Sequence, residues 1–395
     1  MRSRAYVHPF PARMAPEIAL GELNRVPRGS VVLDPMAGSG TVLQEAAKLG
    51  LRAIGIDLDP LAVRISHASF AAASHTQLYL AADHVAAEAR AMLSRKVHLP
   101  WIDEDEETKG FISFWFARNQ RRHLRRLAYS LRYGAGVNYS LAIRTVLEVA
   151  LSRLIVTKQR GASLAWDVSH SRPHRVLDEN DFNVLDEFMR ACDLVVGRQV
   201  EAQSVRFGPR IHIGDARKLT RVGNGSVDVV LTSPPYLNAI DYMRGHRLAL
   251  VWLGYTISRL RNIRARSIGS ERMLIDKTGT YAHIVKAFGV RKGVDRKLHS
   301  VLMRYARDMV LFFNECDRVL RDSGKVHLVV GESRIGGSEI LTSKAVTRAA
   351  ELAGFRLTEW RKRKIVRDAR YLPVTQRGPL SKRMLSEVVL TYARH

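Results

Sequence analysis

Short apolar runs that stop at glycine, aspartate or proline recur along the chain and alternate with amphipathic stretches. In the first such unit, the apolar residues 31–34 are followed by the helix-like stretch 41–50 and by a second apolar run at 51–57. Short apolar runs bounded by turn residues are typical of buried strands, and a glycine such as Gly50 commonly ends a helix. The pattern therefore predicts a strand, a helix and a second strand.

Four later apolar runs continue this series. They lie within residues 205–216, 226–236, 324–333 and 386–394. Strands that alternate with helices favour a doubly wound α/β fold with a largely parallel sheet. In such folds ligands bind beyond the carboxyl ends of the strands, and the polar motifs described below lie at these ends.

The stretch from 75 to 204 interrupts the alternation, because it shows helix-like patterns and no comparable series of strands. We therefore predict a core formed by residues 1–74 and 205–395, with residues 75–204 as a helical insertion. Within the core, residues 255–300 are rich in arginine and lysine and have weak periodicity. We expect a loop-rich surface element there, and both this segment and the insertion are candidates for contacting a target.

The charge narrows the class of partner. The chain has 63 Lys and Arg against 38 Asp and Glu, a formal net charge of +25. Such an excess attracts polyanions, so nucleic acid is the favoured partner, with membranes or acidic proteins as the alternative. No apolar run approaches the roughly 18 residues of a membrane span, and the start of the chain lacks the apolar segment of a secretory signal. We expect a cytoplasmic protein that does not enter membranes.

The two cysteines and the histidines do not indicate a disulfide or a metal site. Cys192 and Cys316 lack the paired spacing of metal ligands. The 14 histidines form no spaced cluster with cysteines or carboxylates. We expect reduced thiols and no metal.

The first chemical motif, LDPMAGSGT at 33–41, places Asp34 at a strand end and Gly38 and Gly40 in the turn that opens the next helix. Glycines allow the backbone to pass close to a ligand and to adopt positive φ without strain. Asp57 ends the following strand, where a carboxylate can accept bonds from both hydroxyls of a ribose. The diphosphate fingerprint GxGxxG is incomplete, which favours a nucleoside ligand without a pyrophosphate.

The second motif, TSPPY at 232–236, directly follows an apolar strand. Pro234 and Pro235 stiffen the loop and present the backbone carbonyls near Ser233 and Pro234 at a fixed angle. Two such acceptors can bind both hydrogens of an exocyclic amine and free its lone pair for nucleophilic attack. Tyr236 offers a flat face on which a base can stack.

These motifs, together with HPFPARMAPEIA near the start and GDA at 214–216, resemble those of the amino-group DNA methyltransferases, which make N4-methylcytosine or N6-methyladenine. The resemblance implies a Rossmann-like class I methyltransferase fold, with a mostly parallel sheet and an antiparallel last strand, and S-adenosylmethionine as cofactor. It implies that Asp34 and Gly38 lie near the amino acid moiety of the cofactor, that Asp57 binds its ribose, and that Asp215 accepts a bond from its adenine amino group.

The same resemblance implies two sets of site residues. The cofactor-binding set is Phe10, Asp34, Pro35, Met36, Gly38, Ser39, Gly40, Thr41, Asp57, Leu58, Asp215 and Ala216. The catalytic set is Ser233, Pro234, Pro235 and Tyr236. Many relatives have Phe at the position of Met36, which is a mild change if this side chain only packs against the cofactor.

Several alternatives remain at this point. Methylation of cytosine carbon 5 requires a cysteine nucleophile, usually after a proline, and neither cysteine follows one. Beside cytosine N4, two other methylation targets remain open, adenine N6 in DNA and a base amino group in tRNA. A catalytically silent nucleic-acid-binding protein is the third alternative. Within the family, Ser at the position of Ser233 is more often associated with cytosine, so we favour N4-methylcytosine. A partner restriction enzyme or defence component is also compatible with this class.

Overall fold

The computed structural model of the protein describes residues 6–10, 13–71, 73–92, 97–166, 168, 173–200, 205–237, 242–270, 280–290, 296–335, 338–364 and 386–395. Residues 271–279 and 291–295 of the basic segment lie outside these ranges. None of the described helices is both long and apolar enough to cross a membrane.

The secondary structure alternates as the hydrophobic pattern predicts, with a long run of helices in its first half. The strands are β1 (Val31–Asp34), β2 (Arg52–Asp57), β3 (Ala165–Trp166), β4 (His174–Arg175), β5 (Arg210–Ile213), β6 (Val227–Thr232), β7 (Leu320–Gly331), β8 (Ser333–Ile335), β9 (Ser338–Ile340), β10 (Phe355–Lys364) and β11 (Ser386–Arg394). The helices are α1 (Pro16–Leu23), α2 (Thr41–Lys48), α3 (Pro60–Ser69), α4 (His75–Ala91), α5 (Pro100–Asp103), α6 (Glu106–Trp115), α7 (Arg118–Tyr133), α8 (Leu141–Arg153), α9 (Val184–Val196), α10 (Tyr242–Leu250), α11 (Ile257–Ala265), α12 (Ala282–Ala287), α13 (Arg296–Val319) and α14 (Thr342–Leu352).

A seven-stranded sheet in the order β10, β11, β7, β6, β1, β2, β5 forms the centre of the fold. The strands β7, β6, β1, β2 and β5 pair in parallel, whereas β11 runs antiparallel to both of its neighbours. The predicted fold class, a Rossmann-like α/β fold with a mostly parallel sheet and an antiparallel last strand, is confirmed.

The register of the central strands brings three polar strand ends to one edge of the sheet. Asp34 pairs with Gly55 of β2, and Leu33 pairs with Val230 of β6. The carboxyl ends of β1, β2 and β6 therefore lie side by side. Asp34 and Thr232 are buried like the preceding Leu33, and these polar side chains are tolerated because they hydrogen-bond each other.

The sequence of the edge strand β10 lacks the alternation of apolar and polar residues that predicts a strand. Nearly all of its side chains are exposed, and its second half consists of basic residues around the half-exposed Trp360. An edge strand pairs on one side only, and charged side chains keep it from pairing with other chains. Without an alternating apolar face, its sequence resembles a surface loop.

The stretch predicted as a helical insertion contains, within the described residues, the helices α4 to α9 and the short hairpin of β3 and β4. Its apolar side chains do not form a separate core. They pack together with residues of α3 and with the buried stretch from α10 to α11, including Leu248 and Trp252. The insertion and residues 243–260 therefore share one hydrophobic core, although the sequence places the latter in the other region.

The expectation of a loop-rich basic segment is wrong for its described part. Helix α11 begins at the N-cap Thr256, whose side chain accepts a hydrogen bond from the Arg259 N–H, and it buries Ile257 and Leu260. Helix α12 buries Ile284 in the same way. Each helix is short and is anchored by only a few apolar residues, so arginine and lysine dominate its sequence and weaken the periodic signal.

Candidate active site

The turn between β1 and α2 depends on two glycines. Gly38 and Gly40 have φ of 52° and 82°, in the left-handed region that other residues rarely adopt. A Cβ at Gly40 would lie 2.8 Å from the Ser66 Oγ, and one at Gly38 would lie 3.3 Å from the Phe10 ring. The turn therefore stays close to α3 and to the N-terminal segment, and its backbone lines a narrow space.

Asp57 holds this turn from the end of β2. One carboxylate oxygen accepts the Gly38 N–H at 2.7 Å, and the other accepts the Asp59 N–H at 2.8 Å. An ionised carboxylate has about four lone-pair sites, so each oxygen keeps the capacity to accept one more bond. Asp57 is partly exposed. Its chemistry and placement fit the ribose diol that the sequence predicts as its ligand.

Asp34 connects the glycine turn with the loop after β6. The buried carboxylate accepts a hydrogen bond from the Thr232 hydroxyl at 2.6 Å and another from the Met36 N–H at 3.2 Å. Thr232 is the last residue of β6, directly before Ser233. One carboxylate thus fixes both the start of the glycine turn and the start of the S-P-P-Y loop.

Burial raises the pKa of both the Asp34 and the Asp57 carboxylate. Burial raises the pKa of Asp34 to about 7, although the hydrogen bonds from Thr232 and Met36 favour the charged form. Burial and the neighbouring Asp59 raise the pKa of Asp57 to about 6, against the two backbone bonds it accepts. Two carboxyl groups with raised pKa values at one edge of the sheet attract a cation, because a positive charge nearby offsets the cost of ionising them.

Three aromatic rings form a wall beside the turn. The Phe10 ring lies 6.0 Å from the Tyr242 ring and 5.1 Å from the His246 ring, measured between centroids. The His246 Nδ1 hydrogen-bonds Asp59, the residue that caps α3 by accepting the Leu61 N–H. The Phe10 ring of this wall lies against Gly38 of the turn, so an apolar part of a ligand bound at the turn can pack against it.

The S-P-P-Y loop follows β6 with Ser233, Pro235 and Tyr236 partly exposed and Pro234 buried. The Glu387 carboxylate, at the start of β11, lies near the Tyr236 hydroxyl. Burial, together with the negative charge of Glu387, holds the pKa of Tyr236 well above its ordinary value. The hydroxyl therefore stays protonated while part of the side chain remains open to solvent.

Asp215 lies after β5 and has a strong partner within the chain. Arg217 donates to one oxygen through its backbone N–H and its Nε, both at 3.0 Å, and to the other through Nη2 at 2.8 Å. Although burial acts in the opposite direction, these bonds hold the pKa of Asp215 below its ordinary value. Arg217 also bonds Asp308 at 2.8 Å. One acceptor position of Asp215 stays free, so its role towards an adenine amino group stays a prediction.

The remaining predicted residues line the same turn or its neighbours. Pro35, Ser39, Thr41 and Ala216 are buried, whereas Met36 and Leu58 are partly exposed. Sequence reasoning did not assign Tyr242, His246, Asp59 or Glu387 to the site. Asp59 carries a signal in hindsight, because it caps a helix two residues after Asp57, and Tyr242 and His246 follow the TSPPY motif closely. Glu387 is distant in sequence from every motif.

The structure thus combines a mostly parallel Rossmann-like sheet with a glycine turn after β1, a carboxylate after β2 and the S-P-P-Y loop after β6. A family model described as a DNA methylase of the N6 and N4 type matches residues 2–68. The predicted resemblance to the amino-group DNA methyltransferases is confirmed. S-adenosylmethionine is the cofactor of this family, and the residues around the turn fit it.

Two named relatives extend the match over most of the chain. The Type II methyltransferase M.BsoBI of Geobacillus stearothermophilus is 24% identical, across 83% of this chain and 74% of that protein. The Type II methyltransferase M.AvaI of Nostoc sp. is 22% identical, across 82% of this chain and 73% of that protein. A solved SAM-dependent methyltransferase from Methanosarcina mazei aligns with 97% of this chain and 99% of its own at a TM-score of 0.35 and 10% identity.

The raised pKa values predict how stability depends on pH. Unfolded aspartate has a pKa of about 3.9, so protonation of Asp34 and Asp57 stabilises the folded state below that pH, and this stabilisation is lost as the pH rises through about 6 to 7. Asparagine at position 34 cannot ionise. Between pH 5 and 8 we therefore expect Asp34→Asn to gain stability relative to the wild type by on the order of 2 kcal/mol.

The measurement is urea unfolding of both proteins without ligand across this pH range. Each comparison is internal to one pH, so general effects of pH on the fold cancel. A stability difference that stays constant from pH 5 to pH 8 would contradict a buried, easily protonated Asp34.

Proposed function

We propose that the protein transfers a methyl group from S-adenosylmethionine to the N4 amino group of a cytosine in DNA. The observation that carries this proposal is the link through Asp34, which joins the glycine turn to the S-P-P-Y loop across two adjacent strands. Cofactor and target groups bound at neighbouring strand ends lie close enough for direct transfer.

The residues around the glycine turn would hold the cofactor. Asp57 would bind the ribose hydroxyls with the acceptor positions that Gly38 and Asp59 leave free, and Phe10 would pack against the methionine end. Asp34 and Asp57 add negative charge beside a cationic ligand. The bound cofactor supplies a methyl group activated by its positively charged sulfur.

The S-P-P-Y loop would bind and activate the target base. The carbonyl oxygens near Ser233 and Pro234 accept the hydrogens of the exocyclic amine, which localises the lone pair on nitrogen for attack in line with the methyl group. Tyr236 stacks on the base. A base in a duplex reaches this loop only after it leaves the stack, so the protein would extrude its target.

Cytosine is favoured over adenine by the serine at the first position of the loop. In the family that this chain resembles, Ser at the position of Ser233 is more often associated with cytosine N4. The two bases present the same kind of amino group, so the loop chemistry supports either, and the product of the reaction distinguishes them.

Two surfaces are candidates for binding DNA. In the first, Arg266 follows α11 and lies 3.9 Å from Asp215, at the edge of the sheet that carries the site. In the second, on the insertion, the Arg175 guanidinium lies 5.3 Å from the half-exposed Phe114 ring, and the half-exposed Trp166 lies on the strand that pairs with that of Arg175. Basic and aromatic groups suit phosphates and bases respectively, and we propose these surfaces for target recognition.

The Type II names of both relatives support a role in restriction and modification. In such a system a methyltransferase protects a DNA site from a partner endonuclease. We propose the same kind of role, with a restriction enzyme of matching site specificity as the functional partner.

The reaction is tested by single-turnover transfer of tritiated methyl groups to genomic DNA, followed by digestion to nucleosides and mass spectrometry. We expect N4-methylcytosine as the product. Tyr236→Ala should lower the rate roughly 10- to 100-fold, since stacking contributes about 1 to 3 kcal/mol per base, while cofactor affinity stays within about twofold. N6-methyladenine would overturn the choice of base, and a carbon-methylated base would overturn the amino-group mechanism.

The assignment of Asp57 is tested by calorimetry with S-adenosylmethionine. Asp57→Ala should weaken binding by about 1.5 to 3 kcal/mol, because charge-assisted bonds to the ribose are lost. Asp57→Asn keeps an acceptor for the Gly38 N–H, so its affinity for S-adenosylmethionine should lie between those of the wild type and Asp57→Ala. Asp322→Ala, which removes a fully exposed carboxylate near the opposite edge of the sheet, is the control. Equal affinity of all four proteins would refute the role of Asp57.

DNA binding through the basic segment predicts a steep dependence on salt. The logarithm of affinity should fall linearly with the logarithm of salt concentration, and replacing both Arg264 and Arg266 by glutamine should reduce the slope by roughly one to two. The control replaces Arg25 and Arg28, two exposed arginines just before β1 at the opposite edge of the sheet. If both double variants keep the slope of the wild type, the basic segment does not contact DNA.

A further inference from the structure

Glu387 belongs to the only strand of the large sheet that runs against the others, and its position follows from this direction. In the described ranges β11 begins at Ser386, beside the carboxyl end of β7, and Glu387 pairs with Gly331 there. A parallel strand would present its last residue at this edge. Because β11 is antiparallel, it presents its first residues instead, next to the S-P-P-Y loop.

Glu387 contacts the loop and one cation. Its carboxylate lies near the Tyr236 hydroxyl, whose pKa it raises, and one of its oxygens lies 3.3 Å from the Arg363 Nη1 at the end of β10. Glu387 is 9% exposed, and Arg363 is its cross-strand neighbour. A glutamate that is both buried and paired is costly to place, so apolar packing alone does not explain this residue.

A hydrogen bond from the hydroxyl to Glu387 would fix the outer end of the Tyr236 ring. The inner end is attached to a backbone that Pro234 and Pro235 already stiffen. A tyrosine ring held at both ends loses its freedom to rotate about χ1 and χ2, while part of the side chain stays exposed. A preoriented ring stacks on a base without a further loss of conformational entropy.

We propose that Glu387 is a positioning residue for methyl transfer, which orients the Tyr236 ring towards an extruded base through the bond to the tyrosine hydroxyl. The proposal rests on the proposed function, because it assumes that Tyr236 stacks on the target. It assigns the hydroxyl of Tyr236 an orienting role and gives the antiparallel strand a part in the reaction.

A double-mutant cycle tests the proposal with single-turnover methylation of DNA as the readout. Tyr236→Phe and Glu387→Ala should each lower the transfer rate roughly 3- to 20-fold, as one hydrogen bond to a charged group is removed. The double variant should be no slower than the slower single variant, because both changes break the same bond. Glu387→Gln keeps an acceptor for the hydroxyl and should restore most of the rate.

Two further measurements separate positioning from folding. Cofactor affinity by calorimetry should change less than twofold in Tyr236→Phe and Glu387→Gln. With 2-aminopurine in place of the target base, stacking on Tyr236 should quench the fluorescence of the extruded base, and this quenching should weaken in Tyr236→Phe and Glu387→Ala. Glu359→Ala, at an exposed glutamate of β10, is the matched control and should behave as the wild type.

The outcomes distinguish a failure of the positioning role of Glu387 from a failure of the proposed function. An active wild type with an unaffected Glu387→Ala variant overturns the positioning role and leaves the proposed function intact. Additive losses in the double variant, or a Glu387→Gln variant as slow as Glu387→Ala, also overturn it. A wild type that transfers no methyl group to DNA overturns the proposed function itself, and the positioning role with it.

Discussion

The buried carboxylate of Asp34 is the group on which the geometry of the site depends. It accepts bonds from Met36 in the glycine turn and from Thr232 at the end of β6, two segments nearly 200 residues apart in sequence. These bonds stabilise the ionised form but do not fully offset the cost of burial, as the raised pKa of Asp34 shows. The site therefore accommodates a negative charge in the free protein at some energetic cost, and a cationic ligand would relieve that cost.

Much of the fold could be predicted because its central strands are buried on both faces. Buried strands such as β1 and β6 consist of continuous apolar runs, which stand out against turn residues. The edge strand β10 is mostly exposed and carries charges, so no periodic signal marks it. Helix α11 is anchored by only two apolar side chains, and its many arginines leave no periodic signal that would predict a helix.

The residues of the candidate site also divide into those that the sequence predicts and those that it does not. Residues within one turn or loop, such as Gly38, Asp57 and Tyr236, could be predicted because their spacing follows from the local geometry of strand ends. Partners brought together by the sheet could not. The bond between Asp59 and His246 spans 187 residues, and Glu387 reaches Tyr236 only because β11 runs antiparallel. A single sequence carries no record of such pairs.

The shared core of the insertion and helix α10 connects the surface that we propose for target recognition with the aromatic wall beside the glycine turn. Helix α10 carries Tyr242 and His246 at the aromatic wall, while Leu248 and Ala249 of the same helix pack into the core shared with the insertion. An insertion built in this way cannot be exchanged as an independent module, since its removal would expose the apolar face of α10 and loosen the wall. Under the proposed function, new target specificities would therefore arise by substitutions on the insertion's surface and not by transplanting whole recognition domains.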